Sequence, residues 1–177
     1  MNVKQKRLFK LVLTAILCAV SVVLSRFFSF NVWNMSIGVS FLPVMLCSLI
    51  CGPLWGGVCG GLADLIGALL FPFGTYFPGF TAVAFLSGVI FGLIGPTDRK
   101  TQNPVVQISL LAVIILAKEL ICTLALNTLW ISVLYGTDYE TMLVTRVPLA
   151  AAMFVIQTVS ALIICKFILP IIRKVLK

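Results

Sequence analysis

Six runs of apolar residues, each close to the length that crosses a bilayer, occupy most of this 177-residue chain. They fall at about residues 8–24, 37–51, 54–70, 80–94, 105–134 and 147–169. Short turns rich in Gly and Pro, or short polar loops, join them. A hydrocarbon environment leaves no solvent for unpaired backbone groups, so runs of this kind fold as helices. Only 10% of the residues are charged, against about 25% in soluble domains, and 61% are hydrophobic. The expected fold is an all-α integral membrane protein: a compact bundle of six transmembrane helices, with outer loops forming a ligand pocket. Residues 1–177 are read as a single membrane domain, with no separate soluble part.

The charges orient the bundle. Lys4, Lys6, Arg7, Lys10, Arg99, Lys100, Lys166, Arg173, Lys174 and Lys177 fall on one side of the six runs. Arg26 and Arg146 fall on the other, and Lys118 lies inside a run. Cytoplasmic segments carry the excess of Lys and Arg, which sets both termini inside. The net charge of +8 is thereby explained by topology, without nucleic acid as a partner. The N-terminal run is long and lacks a small-residue cleavage site before Arg26, so no cleavable signal peptide is expected.

The sharpest anomaly is one carboxylate, Asp64, within the Gly-rich stretch GPLWGGVCGGLADLIGALLFPFGTYFPGFT at 52–81. A carboxylate at mid-bilayer depth costs about 2.5–3.5 kcal/mol on insertion scales, so it marks a functional or a paired site. Gly56 and Gly60, and Gly57 and Gly61, repeat at i,i+4 and let neighbouring helices press against the backbone. Asp64 lies one turn further on the same face and should point into the bundle. Its alternative role is an ion pair with Lys118. At about 1.5 Å per residue, Asp64 lies roughly 15 Å from its helix start and Lys118 roughly 20 Å from its own. The depths match, and both roles stay open on this reading.

Much chemistry is excluded. The chain has no histidine, which removes the usual general base, the commonest neutral metal ligand and any Ser/His/Asp set. No GxxxxGK[ST] loop grips a phosphate. The six cysteines, Cys18, Cys47, Cys51, Cys59, Cys122 and Cys165, all lie in apolar runs without CxxC spacing, and read as small buried hydrophobes. No catalytic residue, cofactor or metal site is expected, and the chain is read as a non-enzyme.

What remains is binding. Arg26, Trp33 and Asn34 come from the first outer loop, Tyr76 and Phe77 from the second, Asn127 and Trp130 from the fifth run, and Arg146 and Gln157 from the sixth. Aromatic rings stack on a flat ligand, amides bond its edge, and Arg grips carboxylates bidentately. The same aromatics could equally form an interfacial belt. Ala15 and Ala19 make a small-x-x-x-small pair on the first helix. Such a pair allows close helix contact but is also common in any membrane span.

The stretch at 52–81, the NTLW at 127–130, the segment from Arg146 to Gln157 and the Ala15-x-x-x-Ala19 pair together resemble the S component of energy-coupling factor (ECF) transporters. Within that group the folate-specific subunit is the best match, over nearly the whole chain. The resemblance implies a subunit of a bacterial plasma membrane that captures folate outside. It then works with a membrane coupling protein (T component) and two ATPase subunits. Ala15 and Ala19 would face the coupling protein. Asp64 would accept the pterin hydrogen bonds, Tyr76, Phe77 and Trp33 would sandwich the rings, and Arg26 and Arg146 would pair with the glutamate carboxylates. Two alternatives stand beside this: an S component for another vitamin, or a stand-alone proton-coupled carrier using Asp64, Lys118 and Glu119.

Overall fold

A computed structural model describes residues 3–27, 29–32, 35–71, 76–95 and 104–168. The chain divides into two compact units, Met1–Gly92 and Leu93–Lys177.

The described residues of the first unit form four helices and a hairpin. Helix α1 spans Val3–Phe27. Strands β1 (Ser29–Val32) and β2 (Met35–Gly38) follow, antiparallel, with Ser29 opposite Gly38 and Val32 opposite Met35. Helices α2 (Phe41–Cys51), α3 (Pro53–Leu70) and α4 (Pro78–Gly92) complete it. The hairpin stands where a loop is expected over 25–36, and it takes the first residues of the expected second span. Helix α2 is therefore only 11 residues long. That is about 16 Å, short of a hydrocarbon core of about 30 Å.

Interhelical contacts set the directions. Lys10 near the start of α1 bonds the carbonyl of Cys51 at the end of α2, whereas Ser21 late in α1 bonds the carbonyl of Ser40 just before α2. Helices α1 and α2 are antiparallel. Arg26 lies against Gly67, Ala84 against Gly60 and Pro53 against Gly92. Helix α3 thus runs parallel to α1, and α4 runs antiparallel to α3. The unit has one end marked by Arg26, Asp64 and Thr81, and an opposite end marked by Lys10, Cys51 and Trp55.

Small residues make this packing close. Gly52 joins α2 to α3 at φ +105°, a backbone state that suits glycine. Pro53 then occupies the first helical position, where its missing N–H costs nothing. Gly88 on α4 faces the carbonyl of Gly56 on α3 so closely that a Cβ would collide with backbone. The Ser48 hydroxyl lies 2.7 Å from the carbonyl of Val44 and 2.8 Å from that of Gly88, stitching α2 to α4. Cys18, Val22, Val44, Cys47, Cys51, Cys59 and Ala63 form a core cluster among α1, α2 and α3. All six cysteines of the chain are free and buried, as small hydrophobes should be.

The described residues of the second unit include one long interrupted helix and a second long helix. Helix α5 (Pro104–Lys118) continues as a π-helical segment, Glu119–Asn127, and then as α6 (Thr128–Tyr135). Gly136 ends α6 in the left-handed region at φ +64°. Helix α7 spans Tyr139–Ile163 and runs on into a π-helical turn, Ile164–Ile168. The last helix begins at Tyr139, not near residue 147 as the sequence reading places it. The charges taken for a loop sit instead on helix: Glu140 in the first turn, where the helix dipole favours an acid, and Arg146 buried on a later turn.

Among the described residues, four helical stretches are long and apolar enough to cross a membrane: Lys4–Phe27, Pro53–Leu70, Val105–Tyr135 and Tyr139–Ile168. Two shorter apolar helices, Phe41–Cys51 and Pro78–Gly92, accompany them.

Candidate functional site

Asp64 stands at the centre of the polar end of the first unit. Thr81 on α4 donates its hydroxyl hydrogen to Asp64 Oδ2 at 2.8 Å. The Tyr76 hydroxyl lies 3.2 Å from Thr81 Oγ1. Thr81 has one hydroxyl hydrogen and gives it to Asp64, so in this contact the phenol of Tyr76 is the donor. The result is a directed chain, Tyr76 to Thr81 to Asp64. Among the described residues, Asp64 Oδ1 receives no hydrogen bond.

Arg26 reaches the same end from α1. Its guanidinium lies across Gly67, one turn beyond Asp64 on α3. A Cβ built on Gly67 would stand 2.9 Å from both Nε and Nη2 of Arg26. Any larger residue at 67 would displace the arginine. The Arg26 and Asp64 charges act on one another there. Phe27 and Phe71, at the ends of α1 and α3, meet edge to face at 6.0 Å, and Phe77 meets Phe80 in the same way at 6.1 Å. An open groove of about 380 Å³ runs along α3 and α4, bounded by Gly61, Leu65, Tyr76, Thr81 and Phe85. Its walls include Tyr76 and Thr81 but not Asp64.

Thr81 has no counterpart in the sequence reading. Nothing in the sequence separates it from any other threonine of an apolar run. Its importance comes from the antiparallel pairing of α3 and α4, which sets position 81 opposite position 64.

The second unit carries a different polar network. Lys118 Nζ donates to Glu119 Oε1 at 2.7 Å and to Gln157 Oε1 at 3.3 Å. Glu119 is 2% exposed and Gln157 1%, so this network is buried. Lys118 therefore has a carboxylate partner within its own unit, Glu119. Arg146 Nη1 makes a long bond of 3.4 Å to Thr128 Oγ1, which bonds the carbonyl of Thr123 five residues back. Arg146 is buried, and Asn127 and Trp130 are half-buried. Glu119 and Thr128 are further residues the sequence reading did not place with Gln157 and Arg146.

Ala15 and Ala19 lie on the exposed face of α1, in a stripe with Leu8, Leu11, Val12, Ile16, Val20 and Val23. Trp33 and Asn34 lie outside the described residues.

The description "ECF-type riboflavin transporter, S component" matches residues 6–173, nearly the whole chain. The chain belongs to this S-component family. It is therefore a membrane transporter subunit and not an enzyme. A "Folate transporter FolT" of Clostridium novyi (strain NT) is 33% identical over 154 residues, 87% of this S component and 86% of that protein. A second "Folate transporter FolT", of Leuconostoc mesenteroides, is 30% identical over 129 residues, 73% of this chain and 66% of that protein. Among solved structures, FolT bound with folic acid superposes with a TM-score of 0.78 at 32% identity, covering 88% of this S component and 93% of that chain. The family description names riboflavin while these relatives carry folate in their names, so the ligand has to be argued from chemistry.

Proposed function

We propose that this S component captures folate at the outer face of a bacterial plasma membrane and passes it inward with an ATP-driven coupling module. The observation that carries the choice of ligand is the state of Asp64. One oxygen is fixed by Thr81, and the other takes no hydrogen bond among the described residues. A carboxylate is an acceptor only. The pterin edge of folate presents a ring N–H beside an exocyclic amino group, two donors that a carboxylate can receive together. The isoalloxazine edge of riboflavin presents one N–H between two carbonyls, whose lone pairs would face the carboxylate. Asp64 therefore favours folate over riboflavin.

The other groups have matching roles in this reading. Arg26 pairs with a glutamate carboxylate of the ligand, for which a guanidinium is the bidentate partner. Tyr76 and Phe77 stack on the ring system. Trp33, Asn34, Asn127, Trp130, Arg146 and Gln157 are proposed as further ligand contacts on their chemistry. The membrane arrangement is proposed as six spans with both termini inside, on the distribution of positive charges.

Titrating purified protein with folate, riboflavin, thiamine and pantothenate tests the ligand. Folate is expected to bind by far the tightest, and tight riboflavin binding without folate binding would overturn the reading. Asp64→Asn replaces one acceptor oxygen by a donor. It should weaken folate by roughly tenfold to a hundredfold, the worth of hydrogen bonds to a charged group. Unchanged affinity would remove Asp64 from the ligand.

Coupling is proposed through Ala15 and Ala19 on the exposed face of α1. Ala15→Leu or Ala19→Leu should block capture of the coupling protein and transport while leaving folate titration unchanged. Lost folate binding in these variants would show instead that the face serves internal packing.

A further inference from the structure

The end of the first unit opposite Asp64 holds a groove of about 710 Å³. Lys6, Arg7, Leu8, Lys10 and Leu11 from the start of α1 line it, with Trp55 from the start of α3. Lys6 and Arg7 are exposed, and Lys10 is half-buried. Lys10 is positioned by the fold: its Nζ donates to the carbonyl of Cys51 at 2.9 Å. Cys51 is the last residue of α2, and a terminal carbonyl of this kind has no acceptor role inside its own helix. An ammonium has three donors, so this bond holds Lys10 in place and leaves donors for a ligand.

Three positive charges thus converge on one groove with little to balance them. Residues 1–92 contain a single acid, Asp64. It stands nine residues along α3 from Trp55, about 14 Å at the helical rise, beyond the range of strong pairing. The remaining lining is hydrocarbon. Leu8 is 63% exposed and Leu11 55%, on a helix of a membrane protein, next to an indole of the kind that settles at headgroup level. A water-soluble anion would use the cations and leave the leucines idle. A molecule with a negative head and an apolar tail uses both halves.

We propose that this groove binds an anionic phospholipid, its phosphate held by Lys6, Arg7 and Lys10 and its first methylenes laid against Leu8, Leu11 and Trp55. A basic pocket beside membrane helices is a recurring setting for acidic headgroups. The site is separate from the proposed folate site and lies at the other end of α1 and α3, so either can fail without the other.

Native mass spectrometry tests it, with purified protein in detergent and equimolar phosphatidylglycerol and phosphatidylcholine of identical acyl chains. The wild type should retain phosphatidylglycerol at least about tenfold in preference, since each cation near an acidic surface is worth about fivefold. The double variant Lys6→Gln/Arg7→Gln should lose most of that preference while folate titration stays unchanged, which reports an intact fold. Trp55→Ala should lower retention of both lipids. Equal retention of the two lipids by wild type would overturn the proposal, as would an unaltered preference in the double variant. A double variant that keeps the lipid and loses capture of the coupling protein would assign the groove to a protein partner instead.

Discussion

Asp64 and Glu119 are both carboxylates on apolar helices, and the two units accommodate them by different means. In the first unit the carboxylate is held by a hydroxyl, with Thr81 donating to Oδ2 and Tyr76 standing behind it. A cation, Arg26, lies one turn away across a glycine. In the second unit the carboxylate is neutralised directly, with Lys118 at 2.7 Å. Asp64 keeps an oxygen for a further donor and is only half-buried. Glu119 is 2% exposed, and its Oε2 also takes no hydrogen bond among the described residues. The comparison separates a carboxylate held by a hydroxyl from one neutralised by an adjacent ammonium.

The surrounding packing follows the same division. Helices α3 and α4 meet through Gly56 and Gly88, and their closeness sets Thr81 beside Asp64. The second unit has no comparable glycine seam among its described residues. It is tied by polar side chains, Lys118 to Gln157 and Arg146 to Thr128, across the helices at 104–135 and 139–163. Its π-helical segment begins at Glu119, the residue paired with Lys118. Consecutive residues on a helix do not normally face each other, and here two long side chains bend to meet at the change of helix type.

The largest effect should come from breaking the Lys118–Glu119 pair. Glu119→Gln removes the carboxylate that lies against the buried Lys118 ammonium, and removing one member of a buried pair costs about 3–5 kcal/mol. Thermal unfolding in detergent should show a large fall in midpoint. The double variant Lys118→Met/Glu119→Gln should recover much of it, because no isolated charge is left. If the single variant is as stable as wild type, the structural role given to Glu119 is wrong and the comparison with Asp64 collapses.

A smaller loss is expected from Gly88→Ala. The added methyl meets the backbone of Gly56 and Gly57, and overpacking of this kind costs about 1–3 kcal/mol. The helices must part, so folate affinity should fall along with stability. A drop in stability with unchanged affinity would mean that the α3–α4 seam does not set the position of Thr81.

Much of this was readable from the sequence, and the failures have definite causes. The apolar runs, the Gly52–Pro53 turn, the glycine face of α3 and the buried cysteines follow from composition and spacing alone. The direction of Asp64 follows too, because it shares a face with glycines that only a neighbouring helix could need. The hairpin at 29–38 did not show, since two four-residue strands are too short for alternation to stand out against a loop. The start of α7 is misplaced because Asp138, Glu140 and Arg146 look like loop charges, while Glu140 lies in the first helical turn and Arg146 is buried. Gln157 reads as an amide for a ligand, and its oxygen also accepts from Lys118, a partner 39 residues away that no local pattern announces. The π-helical segment is hidden because nine residues hardly separate its period from that of an α-helix.

The finest test concerns the hydroxyl chain. Thr81→Val keeps the shape and removes the donor to Asp64 Oδ2, leaving both oxygens to be served by ligand or water. Folate affinity should fall about threefold to tenfold, less than the net worth of one hydrogen bond to a charged group, because the loss reaches the ligand only through Asp64. Stability should hardly change, since the contact is only partly buried. Tyr76→Phe removes the donor behind Thr81 and acts on Asp64 at one remove, so its effect should be smaller, about threefold or less. The order matters more than either value. If Tyr76→Phe weakened folate more than Thr81→Val, the phenol would be touching the ligand itself, and Asp64 would be less the centre of this end of the unit than one member of a wider ring of donors and acceptors.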